Sequence, residues 1–329
     1  MTQAIKRVKA LSVNEFRSDF LEPERPVVIT GGISHWPAIT LWTDDYLMAQ
    51  AGHATLRVKS RSDYGDGKSK RESEPEAWID MASLLSHMSS ADPPDLSYAR
   101  ESRLLDEARQ LQNDILTPDY YTESLPHRPS RIGYSGPLAW LGPAGTVAQL
   151  HWDPEHNLYG QVRGRKYIIV VAPEESHLTY PNIFTVSELG EKSFFRSENC
   201  ELLDRLEAAA RPFRSDHVAE RITEFREVLM RSLSSRDQST LCDYLLEANN
   251  CHVNAENPNL DAHPAFRLAT RFDAVLEAGD LLFLPYMWHH YVRALEPSIS
   301  VNWFFLPTQG EDSFPLGEMK RILVDHLAP

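Results

Sequence analysis

LHWD (residues 150–153) sets an imidazole and a carboxylate two positions apart. On an extended strand, residues i and i+2 project to one face. His151 and Asp153 can therefore enter a common pocket while Trp152 faces the other way. A neutral imidazole and a carboxylate are two members of the 2-His-1-carboxylate facial triad, which holds iron(II) and leaves three positions open. The spacing alone is weak evidence. With 13 histidines in the chain and Asp at ordinary frequency, about one such pair is expected by chance. The third ligand must come from another strand, and GDLLFLPYMWHHY (residues 279–291) offers two adjacent histidines. Neighbours on a strand face opposite sides, so one of His289 and His290 can join the pocket and the other cannot.

Other chemistries find less support. There is no GxSxG and no Walker loop, and neither Gly31-Gly32 nor Gly65-x-Gly67 makes a phosphate-binding pattern. Three cysteines, Cys200, Cys242 and Cys251, lack CxxC spacing and are odd in number. That argues against a disulfide framework and a structural zinc site. A His/Asp/His set can also hold zinc for hydrolysis, a reading that leaves the polar residues near it without a purpose.

The elements around the motif must present it on strands. From Arg131 the chain reads as short strands, IGYS, AWLG, TVAQLHWD, LYGQV and KYIIVVA, punctuated by Pro137, Gly142-Pro143 and Arg163-Gly164-Arg165. The same texture returns from Ala274 as AVLEAG, DLLFLP, HHYVRAL and SISVNWFF. Many short, evenly spaced strands predict a small barrel or jelly roll. Ahead of them, Ser12 and Glu15 form a capping box that opens a short helix. Residues 26–30 form a strand closed by Gly31-Gly32, Thr43 to Ala51 a helix, Thr55 to Lys59 a strand, and residues 61–77 an exposed polar loop. Trp78, Met81, Leu84, Leu85 and Met88 recur at helical spacing, and Leu104 to Gln112 is expected to be helical as well. Between the two β halves, residues 197–248 carry amphipathic helices, with Val218, Ile222, Phe225, Val228, Leu229 and Leu233 forming one stripe.

The bulk properties bound the class. A chain of 329 residues with 42% hydrophobic and 24% charged residues can bury a real core. No apolar run approaches the roughly 20 residues of a spanning helix, and the first residues lack a secretory h-region. The expectation is an intracellular protein of the cytoplasm or nucleus with reduced thiols. Lys plus Arg total 33 against 47 Asp plus Glu, a formal charge of −14. That charge disfavours nucleic acid and suits a basic polypeptide.

Two longer stretches carry a family resemblance. GPAGTVAQLHWDPEHNLYGQVRGRKYIIVVAPEES (residues 142–176) and VLEAGDLLFLPYMWHHYVRALEPSISVNWFF (residues 275–305) resemble the two halves of a JmjC domain. RPVVITGGISHWPA (residues 25–38) resembles the approach segment of the stand-alone JmjC hydroxylases. The likeness spans roughly residues 25–180 and 250–306. Within the family it is greatest to arginyl hydroxylases also described as histone lysine demethylases. Asparaginyl hydroxylases acting on hypoxia-inducible factor and tRNA wybutosine hydroxylases are more distant.

The resemblance implies an iron(II)- and 2-oxoglutarate-dependent oxygenase with a double-stranded β-helix, or jelly roll, flanked by helices. Its distal metal ligand is the fifth residue after the FLP proline, which selects His290 beside His151 and Asp153. It implies that Lys166 pairs with the far carboxylate of 2-oxoglutarate and that Asn157 hydrogen-bonds the same co-substrate. Tyr98 resembles a co-substrate-binding tyrosine and Asn302 a polar residue of the pocket. One position departs: where the family has Ser or Thr three residues before the first histidine, this chain has Ala148. The missing hydrogen bond to a charged group is worth roughly 1.5–3 kcal/mol, unless another hydroxyl such as that of Tyr98 replaces it.

The implied layout is an N-terminal α/β flank over residues 1–125, a jelly-roll core over 126–181 and 251–306, a helical insertion over 182–250 and a C-terminal helix over 307–329. The implied reaction couples decarboxylation of 2-oxoglutarate to oxidation of a C–H bond, with a protein or peptide as substrate. Arginine hydroxylation comes first and demethylation of methyl-lysine uses the same radical step. A tRNA or small-molecule hydroxylase, and a cupin-like binding protein without turnover, are the alternatives. The insertion is read either as a wall of the substrate cleft or as a homodimer contact.

Overall fold

Short strands buried on both faces, from Leu138 onward, pack as two facing sheets. In the computed structural model the described residues are 2–60, 76–122, 136–153, 155–179, 250–251 and 253–305. The expected insertion (save Asn250), the C-terminal helix, the strand IGYS, Cys200, Cys242 and nearly all of the polar loop lie outside them.

The described strands are β1 (Thr2–Ala4), β2 (Lys6–Val8), β3 (Val27–Ile29), β4 (Thr55–Ser60), β5 (Glu76–Asp80), β6 (Leu96–Ser102), β7 (Leu138–Gly142), β8 (Val147–His151), β9 (His156–Arg163), β10 (Lys166–Val171), β11 (Arg271–Leu276), β12 (Leu281–Leu284), β13 (His289–Ala294) and β14 (Ser298–Phe305). They form a five-stranded sheet in the order β1-β11-β10-β13-β8 and a nine-stranded sheet in the order β2-β3-β12-β9-β14-β7-β6-β4-β5. Strands from both halves of the sequence interleave in each sheet. This is the mainly β, jelly-roll architecture of a cupin.

Each strand divides its side chains between two cores. Along β14, Ile299, Val301, Trp303 and Phe305 pack on the helical side, while Phe304 joins the core between the sheets. Along β12, Leu281 and Phe283 face the helices, and Leu282 and Leu284 face inward. The same rule on β10 sends Ile168 and Val170 inward and Ile169 and Val171 outward against Val253 and Phe266. A period of two with both faces buried explains these near-continuous apolar runs.

The N-terminal flank covers the outer face of the large sheet. Ser12 and Glu15 make the expected capping box, opening the helix Val13–Phe16. The helix Asp44–Ala51 is capped by Thr43. Trp78 is a correction: it lies on β5, 67% exposed, and the helix begins only at Met81, where Asp80 caps it. Its spacing from Met81 is shared by chance, because the strand turns directly into the helix. The segment from Leu104 breaks at Ala108 (φ −125°, ψ 70°) into a single α turn and a 3-10 turn, Arg109–Asp114. Asp114 accepts there from Trp42 Nε1 (3.0 Å) and the Tyr46 hydroxyl (2.8 Å). Those side-chain bonds hold a tighter turn than propensity alone predicts. Among the described residues, no helix is long and apolar enough to cross a membrane.

Candidate metal centre

His151 ends β8, and His290 lies directly across from it in the antiparallel β8–β13 ladder. Beyond that pair the register shifts: Val292 opposes Ala148, so Gln149 and Leu150 of β8 span the place of Tyr291 alone. This β-bulge resets the alternation. It lets Ala148 and His151, three residues apart, both line the cavity between the sheets.

Asp153 sits past the strand end, not on the strand as the spacing suggested. Its carbonyl accepts from the Met287 amide at 2.8 Å, and Met287 holds a left-handed φ of 66° in the turn between β12 and β13. His156 braces the same turn, with Nδ1 accepting from the Tyr286 amide at 3.1 Å. Burial pushes the His156 imidazole down to about 3, so it stays a neutral acceptor. The triad's one carboxylate is thus carried on backbone tied to the turn that delivers His290.

The donor atoms converge. His290 Nε2 lies 3.4 Å from Asp153 Oδ2, and His151 Nε2 lies 3.9 Å from Asp153 Oδ1. One ligand atom from each residue falls within 4.8 Å of the others. Nδ1 of His151 is 2.6 Å from the Gln149 carbonyl, and Nδ1 of His290 is 3.0 Å from the Trp288 carbonyl. Donation from each Nδ1–H leaves both Nε2 lone pairs for a metal. Two oriented imidazoles and one carboxylate suit iron(II) in a site with open positions.

Behind the triad lies a polar relay inside an aromatic core. Lys166 is 1% exposed, and its Nζ donates to the Tyr159 hydroxyl at 2.7 Å while lying 5.9 Å from the Tyr98 ring centroid. No carboxylate among the described residues pairs with it, and burial alone lowers its pKa to about 7. A buried ammonium facing only neutral groups is the partner an anionic ligand completes. Trp140 Nε1 donates to Asn302 Oδ1 at 2.7 Å, and Asn302 Nδ2 donates to Asn157 Oδ1 at 3.0 Å. The Asn157 carbonyl is therefore engaged, and its amide nitrogen is left for a ligand.

Tyr98, Trp140, Ala148, Asn157 and Tyr159 line the cavity together with the triad. Asn302, expected as a pocket residue, is fully buried behind Asn157 and Trp140 and reaches the cavity only through them. Lys166 likewise connects to the wall through Tyr159. Sequence reasoning missed Tyr159 and Trp140. The signal for Tyr159 was its place two residues after Asn157 on one strand. Trp140 had none, because its importance depends on a cross-strand partner.

The sequence is similar to known proteins over most of its length. A family model of the cupin-like domain matches residues 13–311. The zebrafish protein named lysine-specific demethylase 8 is 29% identical over 310 residues, covering 92% of this chain and 59% of that protein. The human bifunctional peptidase and (3S)-lysyl hydroxylase JMJD7 is 24% identical over 299 residues, covering 88% of this chain and 80% of its own. The chicken tRNA wybutosine-synthesizing protein 5 is 24% identical over 308 residues, covering 88% of this chain and 74% of its own. The chain spans 59% of the length of the zebrafish relative.

Proposed function

The chain belongs to the family of cupin-like domains, and on that premise we propose that it is an iron(II)- and 2-oxoglutarate-dependent oxygenase acting on a protein side chain. The observation that carries the proposal is the convergence of His151, Asp153 and His290, with both imidazoles turned Nε2-inward, beside the buried ammonium of Lys166.

In this reading His151, Asp153 and His290 would hold iron(II). With bound 2-oxoglutarate, the metal supplies the activation of dioxygen needed to oxidise an unactivated C–H bond. The residues of the chain bind and orient. The Lys166 ammonium offsets the far carboxylate of 2-oxoglutarate, the Asn157 amide donates to it, and the Tyr98 hydroxyl takes the part that Ala148 cannot play. Asn302 is a positioning residue, because it fixes which way the Asn157 amide points. The walls of Ile168, Leu282, Leu284 and Val292 exclude water from the reacting centre.

Arginine is the first candidate for the oxidised side chain, from the family resemblance, with lysine or methyl-lysine next, since the zebrafish and human relatives carry lysine-directed names. The −14 charge supports a protein over an RNA substrate.

Anaerobic titration of iron(II) in the presence of 2-oxoglutarate tests the proposal. A weak visible charge-transfer band is expected in the wild type and absent in His290→Ala. Iron binding without a band removes 2-oxoglutarate from the proposal and leaves a metal-binding cupin.

A further inference from the structure

Lys166 is not itself part of the cavity wall, and the lining residue it hydrogen-bonds is Tyr159. The ladder register shows which end of the cavity this is. Val170 lies opposite His290, and Lys166, four residues earlier on β10, lies opposite Ala294. At roughly 3.3 Å per residue, those two positions are about 13 Å apart along the strand. The ammonium therefore serves the end of the cavity remote from the metal centre, and it meets that end through the Tyr159 hydroxyl.

The same hydroxyl ends a buried polar chain. Tyr159 and Gln161 alternate onto the inner face of β9, and β14 sets Asn302 and Ser300 directly opposite them. Lys166 Nζ donates to the Tyr159 hydroxyl at 2.7 Å, and the Ser300 hydroxyl lies beside that oxygen. Ser300 in turn donates to Gln161 Oε1 at 2.7 Å. Gln161 Nε2 donates to the carbonyls of Arg163 and Gly164 at 2.7 and 3.1 Å. Ser300 and Gln161 are fully buried. The chain is thus anchored in the turn between β9 and β10 at one end and reaches the cavity at the other. The Trp140 ring, with its centroid 6.4 Å from that of Tyr159, packs against the last member.

A phenol offers one proton and two lone pairs. Lys166 occupies one lone pair, and the Ser300 proton is given to Gln161. The phenol's own proton can therefore turn to the Ser300 oxygen or into the cavity. Burial, opposed by the Ser300 hydroxyl, raises the Tyr159 pKa, so the phenol carries that proton at neutral pH. Donation from an ammonium polarises the O–H and strengthens its next hydrogen bond. The aliphatic lining of Ile168, Leu282 and Val292 offers a carboxylate nothing, and Ala148 brings no hydroxyl. A carboxylate at this end finds the phenols of Tyr98 and Tyr159, with the Lys166 ammonium 5.9 and 5.4 Å from their ring centroids. A methyl group there gains from neither.

We infer that Tyr159 is a co-substrate-binding residue whose hydroxyl, backed by the Lys166 ammonium, donates to the far carboxylate of the 2-oxo acid. Ser300 and Gln161 are its positioning residues. The consequence is selectivity: a 2-oxo acid with a second carboxylate is taken over one of equal length that ends in a methyl group, and Tyr159 supplies part of the difference. The inference rests on the oxygenase reading for the metal-bound end of the acid.

The test uses the full chain with iron(II) under anaerobic conditions. It is titrated with 2-oxoglutarate and with 2-oxopentanoate, in which a methyl group replaces the far carboxylate, and the visible charge-transfer band reads both affinities. Tyr159→Phe is expected to weaken 2-oxoglutarate about tenfold, the scale of one hydrogen bond to a charged group. The same variant is expected to leave 2-oxopentanoate and iron(II) binding as they are in the wild type. Ser300→Ala keeps the phenol but removes its neighbour, and is expected to weaken 2-oxoglutarate by a smaller factor with the same sparing of 2-oxopentanoate. If Tyr159→Phe fails to hold iron, Ser300→Ala decides by the same ratio. An unchanged ratio of the two affinities overturns the inference and leaves the oxygenase reading standing, because a merely structural role weakens both acids alike. A wild-type chain that binds iron(II) but gives no band with either acid overturns both.

Discussion

His151 and His290 face each other across the β8–β13 ladder with ring centroids 4.1 Å apart, and each ring is anchored through Nδ1 to a carbonyl two residues earlier on its own chain. The geometry that brings two imidazoles together is therefore backbone geometry. Strand direction therefore decides which of the adjacent histidines can join the site.

His290→Ala is expected to abolish iron(II) binding, measured by titration under anaerobic conditions. His289→Ala is expected to keep it, because His289 lies on the same strand with the opposite side-chain direction. His289 is 1% exposed, so the second variant is expected to unfold at lower urea. Retained iron in His290→Ala would show that the triad is wrongly drawn.

Lys166 gives a pH dependence with a definite sign. Its folded pKa is lowered to about 7 from 10.5 by burial. The unfolded chain therefore binds the extra proton between those values, and the lysine's penalty is full below about 7 and fades as pH rises toward 10.5. Lys166→Met is thus expected to stabilise the ligand-free protein at pH 7, by an amount on the order of a few kcal/mol at most. Binding of 2-oxoglutarate favours the charged ammonium, so it is expected to take up a proton at pH 8. Calorimetry in buffers of different ionisation enthalpy reads that uptake. The uptake is expected to vanish in Lys166→Met, together with the rise in melting temperature that 2-oxoglutarate confers.

The Trp140–Asn302–Asn157 relay predicts a cost at a distance. Asn302→Ala leaves the Trp140 Nε1 donor and the Asn157 Oδ1 acceptor without their partner. Each buried unsatisfied group costs about 1–3 kcal/mol, and urea unfolding measures the sum. Asn157, released from Asn302, also loses its orientation, so 2-oxoglutarate is expected to bind more weakly although Asn302 never touches it. A loss of stability with unchanged co-substrate affinity would separate Asn157 from the binding site.

Ala148 lines the cavity on the strand that carries His151. Ala148→Ser is expected to tighten 2-oxoglutarate by up to about tenfold, since one hydrogen bond to a charged group is worth roughly 1.5–3 kcal/mol before the serine's own desolvation. Tyr98→Phe in the parent chain is expected to move affinity the other way and to have a smaller effect in Ala148→Ser. Additive effects in the double variant would mean that the two hydroxyls serve different ligand atoms.

Much of this site was legible in the chain of residues, because alternation is a local property. A period of two along LYGQV, KYIIVV and SISVNWFF determines which side chains share a face, and so groups Asn157 with Tyr159 and Lys166 with Ile168 before any contact is known. The HxD pair and the two histidines after the proline were equally plain, with the family resemblance selecting His290. Only the tertiary structure decided what depends on register between strands distant in sequence. The bulge over Gln149 and Leu150 turns Ala148 inward with His151, the Met287 amide holds Asp153 beyond the strand end, and Asn302 finds Asn157 rather than the cavity. The cleft beside the metal centre is the clearest case. Arg57, Lys59 and Arg100 are scattered through an acidic sequence, and only the pairing of β4 with β6 gathers them beside His151. Pairing register is set by the packing of both sheets at once, and a strand read alone has no partner to set it against.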